Sequence, residues 1–413
     1  MNRVVVRESS TGTNRASCLA LNRSMAKISL DIKLSYDFSK TICCFAATVF
    51  ALSIASACSN NEKTPLSSQD AGIQKPSDNR CPEPAVVSKI PDGEQATTVA
   101  KENYSLAETD IVMSEYVKKI GQINCSTGIG ESLHIRGAMN ISDRTIIRPN
   151  FDTLYSAAVL DLSTPAVIVM PETNRLQILA AVNDGHWNVL LTDKPGRYEL
   201  TEESVGSRYV YLIVRTQVNM RDQADLKKVA ALQDQIKIEQ DDKGEYVQTN
   251  LWDPGQIRVL RDEYNERFVA EGIKSEMAFG GKGEISPEMR NFGVAYGWGG
   301  LPKKGAVYPT LQVPSSGKAF TLTLKDVPMA DNAFCSVTTY DQDGFSRGQN
   351  YNINSSFAKT NSNGEYVLNF GATSGEENYL ETFDGWNATL RIYFPTSEYF
   401  NGAWTVPSLV AVQ

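Results

Sequence analysis

The sequence predicts a β-rich α+β protein, with two β-sandwich or jelly-roll-like domains joined by a helical connector. Two observations carry this expectation. Short runs of branched and aromatic residues recur between Tyr155 and Thr216 and again between Lys318 and Phe394, punctuated by Pro, Asp-Gly and Asn-Gly. Between those blocks lie segments whose apolar residues fall three and four apart, the spacing of a helix face. A chain of 413 residues is long enough for about two domains.

Taken in order, the first 57 residues read as a leader. "TICCFAATVFALSIASA" from Thr41 to Ala57 has no charged residue and follows Lys27, Lys33 and Lys40. A basic stretch before an apolar run too short to span a bilayer comfortably is the pattern of a signal segment. Met25 is an alternative start, because residues 1–24 have no signal character. The run ends in Ala55-Ser56-Ala57-Cys58, which resembles a bacterial lipoprotein box with Cys58 as the lipidated residue. Ser59 after the cysteine favours the outer membrane, and cleavage after Ala-Ser-Ala with plain secretion is the alternative. Residues 58–84 form a Ser-, Asn- and Pro-rich tether.

Without residues 1–57, 33 basic and 45 acidic residues remain. That balance argues against a sequence-independent grip on nucleic acid and favours neutral or cationic partners. Cys81, Cys125 and Cys335 are left besides Cys58. In an oxidising envelope a Cys81–Cys125 bridge is plausible, with two free thiols as the alternative. Cys335 sits in the apolar run "AFCSVTTY" and reads as a buried core thiol.

Residues 85–245 are expected to form the N-terminal β-rich domain. It opens with a short amphipathic helix over "TDIVMSEYVKKIG", with Thr109 as its cap and Val112, Tyr116 and Ile120 as its stripe. The strands "YSAAVLDL", "AVIVM", "RLQILAAVN" and "RYVYLIVRT" follow, and the last, apolar on both faces, is predicted to be central. A helix is predicted from Asp225 over "DLKKVAALQDQIKI". Residues 246–306 form the connector: a helix with Ile257, Leu260, Tyr264 and Phe268 on one stripe, then the loop "AYGWGGLP". Residues 307–413 form the C-terminal domain, with strands in "KAFTLTL", "AFCSVTTYD", "EYVLNF" and "ATLRIYF".

Strong catalytic signatures are missing from the sequence. His134 and His186 are the two histidines, which excludes a three-histidine zinc site and H-E-x-x-H. No metal or other cofactor is expected. Asp341-Gln-Asp-Gly344 reads as a tight turn rather than a calcium loop. Three constellations remain. In "RPNFDTLYS", Arg148 can pair with Asp152 while Asn150, Thr153 and Tyr155 face a polar ligand; the alternative is a turn capped by Asp152. In "NDGHWNV", Asp184 can orient His186 as a general base beside a Trp187 stacking face, or the histidine is structural. In "AYGWGGLP", Tyr296 and Trp298 are either ligand-facing rings or buried rings at a hinge.

The segments "RPNFDTLYSAAVLDL", "PGRYELTEESVGSRYVYLIVRTQVN", "LQDQIK", "YGWGGLP", "TTYDQDGF" and "GWNATLRIYFPTSEYFNGAW" resemble, in order, domain-of-unknown-function families 1254 (N-terminal) and 1214 (C-terminal). The resemblance covers most of residues 140–410 and implies two β-rich domains in an envelope or secreted protein, the second jelly-roll-like. Three positions depart from it: Ala231 stands where a histidine is common, Ser286-Pro287 where Asp-Pro is frequent, and Cys335 where an aromatic is frequent. The expectation is a lipid-anchored envelope protein binding a neutral glycan or glycopeptide in an inter-domain groove. Cleavage would require paired carboxylates, with Asp152 and Asp184 as candidates. The alternative is a non-catalytic scaffold or protein-interaction module.

Overall fold

The computed structural model describes residues 81–137, 140–142, 148–313, 318–371 and 375–412. The leader, Cys58 and the tether up to residue 80 lie outside them. Among the described residues no helix is long and apolar enough to cross a membrane.

The N-terminal part contains β1 (Val86–Ser88), β2 (Leu133–His134), β3 (Thr153–Asp161), β4 (Ala166–Met170), β5 (Gln177–Asn183), β6 (Asn188–Thr192), β7 (Gly196–Leu200), β8 (Tyr209–Gln217), β9 (Lys237–Gln240) and β10 (Tyr246–Gln248). An antiparallel five-stranded sheet has the order β2-β3-β8-β5-β6, and a three-stranded sheet the order β7-β4-β9. The run "RYVYLIVRT" is therefore the middle strand, buried at every residue of β8. Alternation explains its double apolar face. Tyr209, Tyr211 and Ile213 enter one core with Ala157, Val159, Ile178 and Ala180. Val210, Leu212 and Val214 enter a second core against the three-stranded sheet.

Helix α1 (Tyr104–Asn124) covers the first of these cores. It is longer than the sequence pattern indicates: Thr109 lies inside it and Asn103 precedes it, so Thr109 is no cap. Val112, Tyr116 and Ile120 are buried as their spacing implies. Cys125 ends the helix in the left-handed region (φ 54°) and is joined to Cys81 by a disulfide, fastening the entering chain to the helix end.

After the short turn α2 (Glu202–Val205), α3 (Gln223–Gln233) is capped by Asp222, three residues before the predicted start. The connector holds α4 (Pro254–Ala270), α5 (Ser275–Ala278) and α6 (Pro287–Gly297). Ile257, Tyr264 and Phe268 of α4 pack with Phe279 and Phe292 in a core shared with Tyr104 and Ala107 of α1. Ser286 accepts the Met289 amide at 3.2 Å and Pro287 opens the helix, so this Ser-Pro pair is a helix start. Ala295, Tyr296 and Gly297 belong to α6, which corrects the reading of "AYGWGGLP" as loop throughout.

The C-terminal part contains β11 (Ala306–Val307), β12 (Thr310–Leu311), β13 (Phe320–Leu324), β14 (Cys335–Tyr340), β15 (Asn352–Asn354), β16 (Tyr366–Phe370), β17 (Tyr379–Leu380), β18 (Asn387–Tyr393) and β19 (Val410–Ala411), with the short α7 (Ser397–Phe400). One sheet runs β11-β18-β14-β15, with β12 also on β18; the other runs β17-β16-β13-β19. Leu322, Leu324, Leu368 and Phe370 from the second sheet share one core with Val337, Leu390 and Ile392 from the first. Cys335 is part of that core, and burial pushes its thiol up to about 12. The chain is thus β-rich, with several sheets and intervening helices. The jelly-roll detail remains an expectation of the resemblance.

Candidate functional site

The segment from Arg148 to Asp152 runs along the boundary between the two β-rich parts, and each residue contacts the C-terminal one. Arg148 does not pair with Asp152. It adopts φ 53° and donates through Nη1 to Asn387 Oδ1 (2.8 Å) and Thr389 Oγ1 (3.1 Å), its guanidinium lying over Tyr340. The Pro149 carbonyl accepts from Tyr340 Oη at 2.9 Å and from Arg391 Nη2 at 3.3 Å. Asn150 donates to the hydroxyls of Tyr155 and Tyr393, each at 3.0 Å, and its own Oδ1 caps the Asp152 amide. Phe151 meets Tyr351 with ring centroids 4.4 Å apart.

Asp152 is fully buried. Its Oδ2 accepts from Ser336 Oγ at 2.5 Å, and its Oδ1 from the side-chain amides of Asn352 (3.2 Å) and Asn354 (3.3 Å). A carboxylate held by three donors and sealed from solvent does not reach a substrate. Tyr155 is likewise engaged, between Asn150 and the Arg215 guanidinium.

His186 occupies a tight turn between β5 and β6 at φ 61°. Its Nε2 accepts the Gly299 amide at 3.0 Å, so the ring nitrogen a general base would use is occupied. Burial, helped by the nearby Arg290 charge, pushes this imidazole down to about 3. The Gly299 carbonyl accepts from Arg215 Nη2 at 2.7 Å. Trp298 packs on His186 (5.1 Å) and Tyr211 (4.7 Å) and donates to Thr109 Oγ1 at 3.3 Å. Tyr296 stacks on Phe268 at 3.8 Å, and Trp187 lies under Arg290 at 4.4 Å.

The rings and glycines of "GWGG" are therefore packed into the junction. Gly299 has φ 76°, and a methyl on Gly300 would stand 2.5 Å from Phe279 Cε1. Asp184 is half-buried, and its carboxyl is raised by burial. The structure joins His186 to Trp298 but surrounds Asp152 with a separate set of partners. His186 and Trp298 are thus engaged in structural contacts and Trp187 lies under Arg290, while Tyr296, stacked on Phe268, keeps an exposed face. Asp341 is a turn residue: its Oδ1 accepts the amides of Asp343 (3.1 Å) and Phe345 (2.9 Å), while Arg347 holds Oδ2.

A cavity of about 410 Å³ opens beside Asp152. One wall comes from Phe151 and the segment Val218–Arg221; the other comes from Asn350–Asn354 and the Glu376–Tyr379 segment. Arg221 ties the walls together, donating to Asn350 Oδ1 at 3.0 Å and to the Asn352 carbonyl. Asn352 and Asn354, two of the amides on the wall, are those anchored by Asp152. These wall residues carry no motif, but asparagine is depleted in strands, so the Asn-x-Asn of β15 was a legible sign of a polar task.

Two family models match the chain, each described as a protein of unknown function: DUF1254 at residues 129–240 and DUF1214 at residues 306–397. The chain pairs these two domains. Its DUF1254 domain supplies Phe151 and Val218–Arg221 to the cavity, and its DUF1214 domain supplies Asn350–Asn354 and Glu376–Tyr379. No curated protein matches it in sequence. Among solved structures it is similar to the VPA0106 protein from Vibrio parahaemolyticus, at 16% identity and TM-score 0.56, over 76% of this chain and 98% of that one. A putative uncharacterized protein from Burkholderia cenocepacia aligns at 14% identity and TM-score 0.41, over 76% of this chain and 88% of that one. The first likeness supports the fold alone.

Proposed function

We propose that this chain is a lipid-anchored envelope protein that binds a neutral, hydroxyl-rich ligand, a glycan or glycopeptide, in the cleft between its DUF1254 and DUF1214 domains. The observation that carries this reading is the composition of the inter-domain cavity. Its volume of about 410 Å³ suits a small ligand. The Asn219 side-chain Nδ2, the Asn352 Oδ1 and the hydroxyls of Tyr351 and Tyr379 make no hydrogen bond among the described residues. Neutral donors and acceptors beside the Phe151 and Tyr351 rings match a polyhydroxylated ligand with an apolar face.

Binding fits better than cleavage. Glycoside hydrolysis needs an acid and a base on opposite sides of the bond. Asp152 is sealed behind the wall and Asp184 does not line the cavity; the two carboxylates that do, Glu376 and Glu377, are neighbours on one segment of one wall, with Glu377 held by Lys359 at 2.7 Å. The Cys81–Cys125 disulfide supports an oxidising compartment, in keeping with the leader and Cys58.

The docking role of Arg148–Asp152 favours the second reading, a non-catalytic scaffold, because these conspicuous side chains are used between the domains. A glycan array on the protein lacking residues 1–57, followed by calorimetric titration with cellobiose and N,N′-diacetylchitobiose, separates the two. The ligand reading expects saturable binding that weakens about tenfold in Asn219→Ala and Tyr379→Phe combined, the loss of two hydrogen bonds. No binding to any neutral glycan, or unchanged binding in the double variant, would refute it and leave the scaffold.

A further inference from the structure

We infer that Asp152 is a positioning residue for the inter-domain ligand site: a carboxylate of the DUF1254 domain that sets two amides on the DUF1214 wall. This rests on the ligand reading above and adds that the site is composite, complete only when both domains are docked.

The geometry is direct. Asn352 and Asn354 sit at alternate positions of β15, so their side chains fall on one face of the strand. Both line the cavity, and both donate through Nδ2 to the same oxygen, Asp152 Oδ1. An amide whose nitrogen is tied to a buried acceptor has its carbonyl orientation fixed as well. Asn352 also donates to Thr338 Oγ1 at 2.9 Å, so its Oδ1 is left as the group facing the cavity. The Asn354 Oδ1 accepts the Ser356 amide at 3.0 Å, setting the turn that leads to Phe357 and Ala358 of the wall. The carboxylate is itself aimed by Ser336 Oγ at 2.5 Å. Without Asp152 each amide keeps one partner, Thr338 Oγ1 for Asn352 and the Ser356 amide for Asn354, but loses the shared acceptor that fixes the direction of both.

Substitutions separate this role from a merely structural one. In Asp152→Asn the amide oxygen still accepts from both asparagines, and the new nitrogen donates to the Ser336 hydroxyl, which accepts as readily as it donates. That variant keeps the wall but removes the negative charge that faces the buried Arg391. The expected result is a lower melting temperature with cellobiose and N,N′-diacetylchitobiose affinity within about threefold of wild type. Asp152→Ala removes the acceptor, and its affinity is expected to fall about tenfold, the size expected from one misdirected acceptor, Asn352 Oδ1, on the wall.

Selective 15N labelling of asparagine gives a second readout in the absence of sugar. The Asn354 side-chain amide, whose nitrogen is held by Asp152, should exchange slowly in wild type and Asp152→Asn and fast in Asp152→Ala, while Asn352 keeps partial protection from Thr338. Should Asp152→Ala fail to fold, Ser336→Ala carries the test with a smaller loss of affinity. Equal affinity in wild type and Asp152→Ala, or an equal loss in Asp152→Asn and Asp152→Ala, would overturn the positioning role while leaving the ligand reading intact. Failure of the wild-type protein to bind any neutral glycan on the array would remove the ligand reading and this inference with it.

Discussion

Acidification tests the structural assignment of His186. The ring is buried, accepts the Gly299 amide at 3.0 Å and is pushed down to about 3, against an ordinary value near 6.5. Below pH 6.5 the unfolded chain takes up a proton at this position that the native state refuses until about pH 3. Stability from the neutral ring is thus fully present above pH 6.5 and lost as the pH falls, with a slope approaching 1.4 kcal/mol per unit, roughly 3 kcal/mol by pH 4. His186→Asn is the matched comparison. Asparagine tolerates the left-handed backbone at φ 61°, can offer an oxygen to Gly299 and does not titrate. Urea unfolding followed by tryptophan fluorescence at pH 7, 6, 5 and 4, at constant ionic strength, gives both stabilities. His134, lowered to about 4 mainly by burial, and the paired carboxylates affect both proteins alike and cancel in the difference. At pH 7 the wild type is expected to be the more stable; by pH 4 that advantage should have shrunk by about 3 kcal/mol. A difference that stays constant from pH 7 to 4 would show that His186 is not a buried neutral acceptor, and would reopen it as a solvent-reaching base.

Other consequences concern the junction and the N-terminal part of the chain. Gly300→Ala drives a methyl into the Phe279 ring, 2.5 Å from its Cε1, and is expected to cost about 1–3 kcal/mol in urea unfolding, whereas an unaffected midpoint would contradict the packing. Removing the disulfide with Cys81→Ser and Cys125→Ser opens a loop spanning 44 residues and is expected to cost on the order of 4 kcal/mol on the chain-entropy scale. Unchanged stability without reductant would mean that the bridge does not form. Cys58→Ala is expected to release the protein from the membrane fraction, and unchanged fractionation would reject lipid anchoring at that residue.

Much of the fold is legible because its signals are local. Alternation along "RYVYLIVRT" places residues on both faces of the first sheet, and β8 is central in the structure. The stripe of Ile257, Tyr264 and Phe268 likewise states its own burial. Helix ends were less legible. Thr109 has the chemistry of a cap, but the helix extends upstream to Tyr104, where tertiary packing of Tyr104 and Ala107 outweighs local preference. The site was legible only in fragments. Arg, Asn and Asp in "RPNFD" announce polar work without saying that their partners are Ser336, Asn352, Asn387 and Tyr393, some two hundred residues away. His186 and Trp298 look like a base and a stacking ring until Gly299 and Tyr211 are seen against them. The cavity could not be read from any one segment, because Asn219 and Asn352 meet only when the domains dock.

The central claim is that ligand chemistry resides between the domains and that the Trp298 turn is a packed junction. Amide chemical-shift mapping during titration with N,N′-diacetylchitobiose tests it most directly. The account predicts saturable shifts at Asn219, Arg221, Tyr351, Asn352 and Tyr379, with His186, Trp187 and Trp298 unmoved. Shifts centred on His186, Trp187 and Trp298, with the inter-domain wall silent, would contradict it.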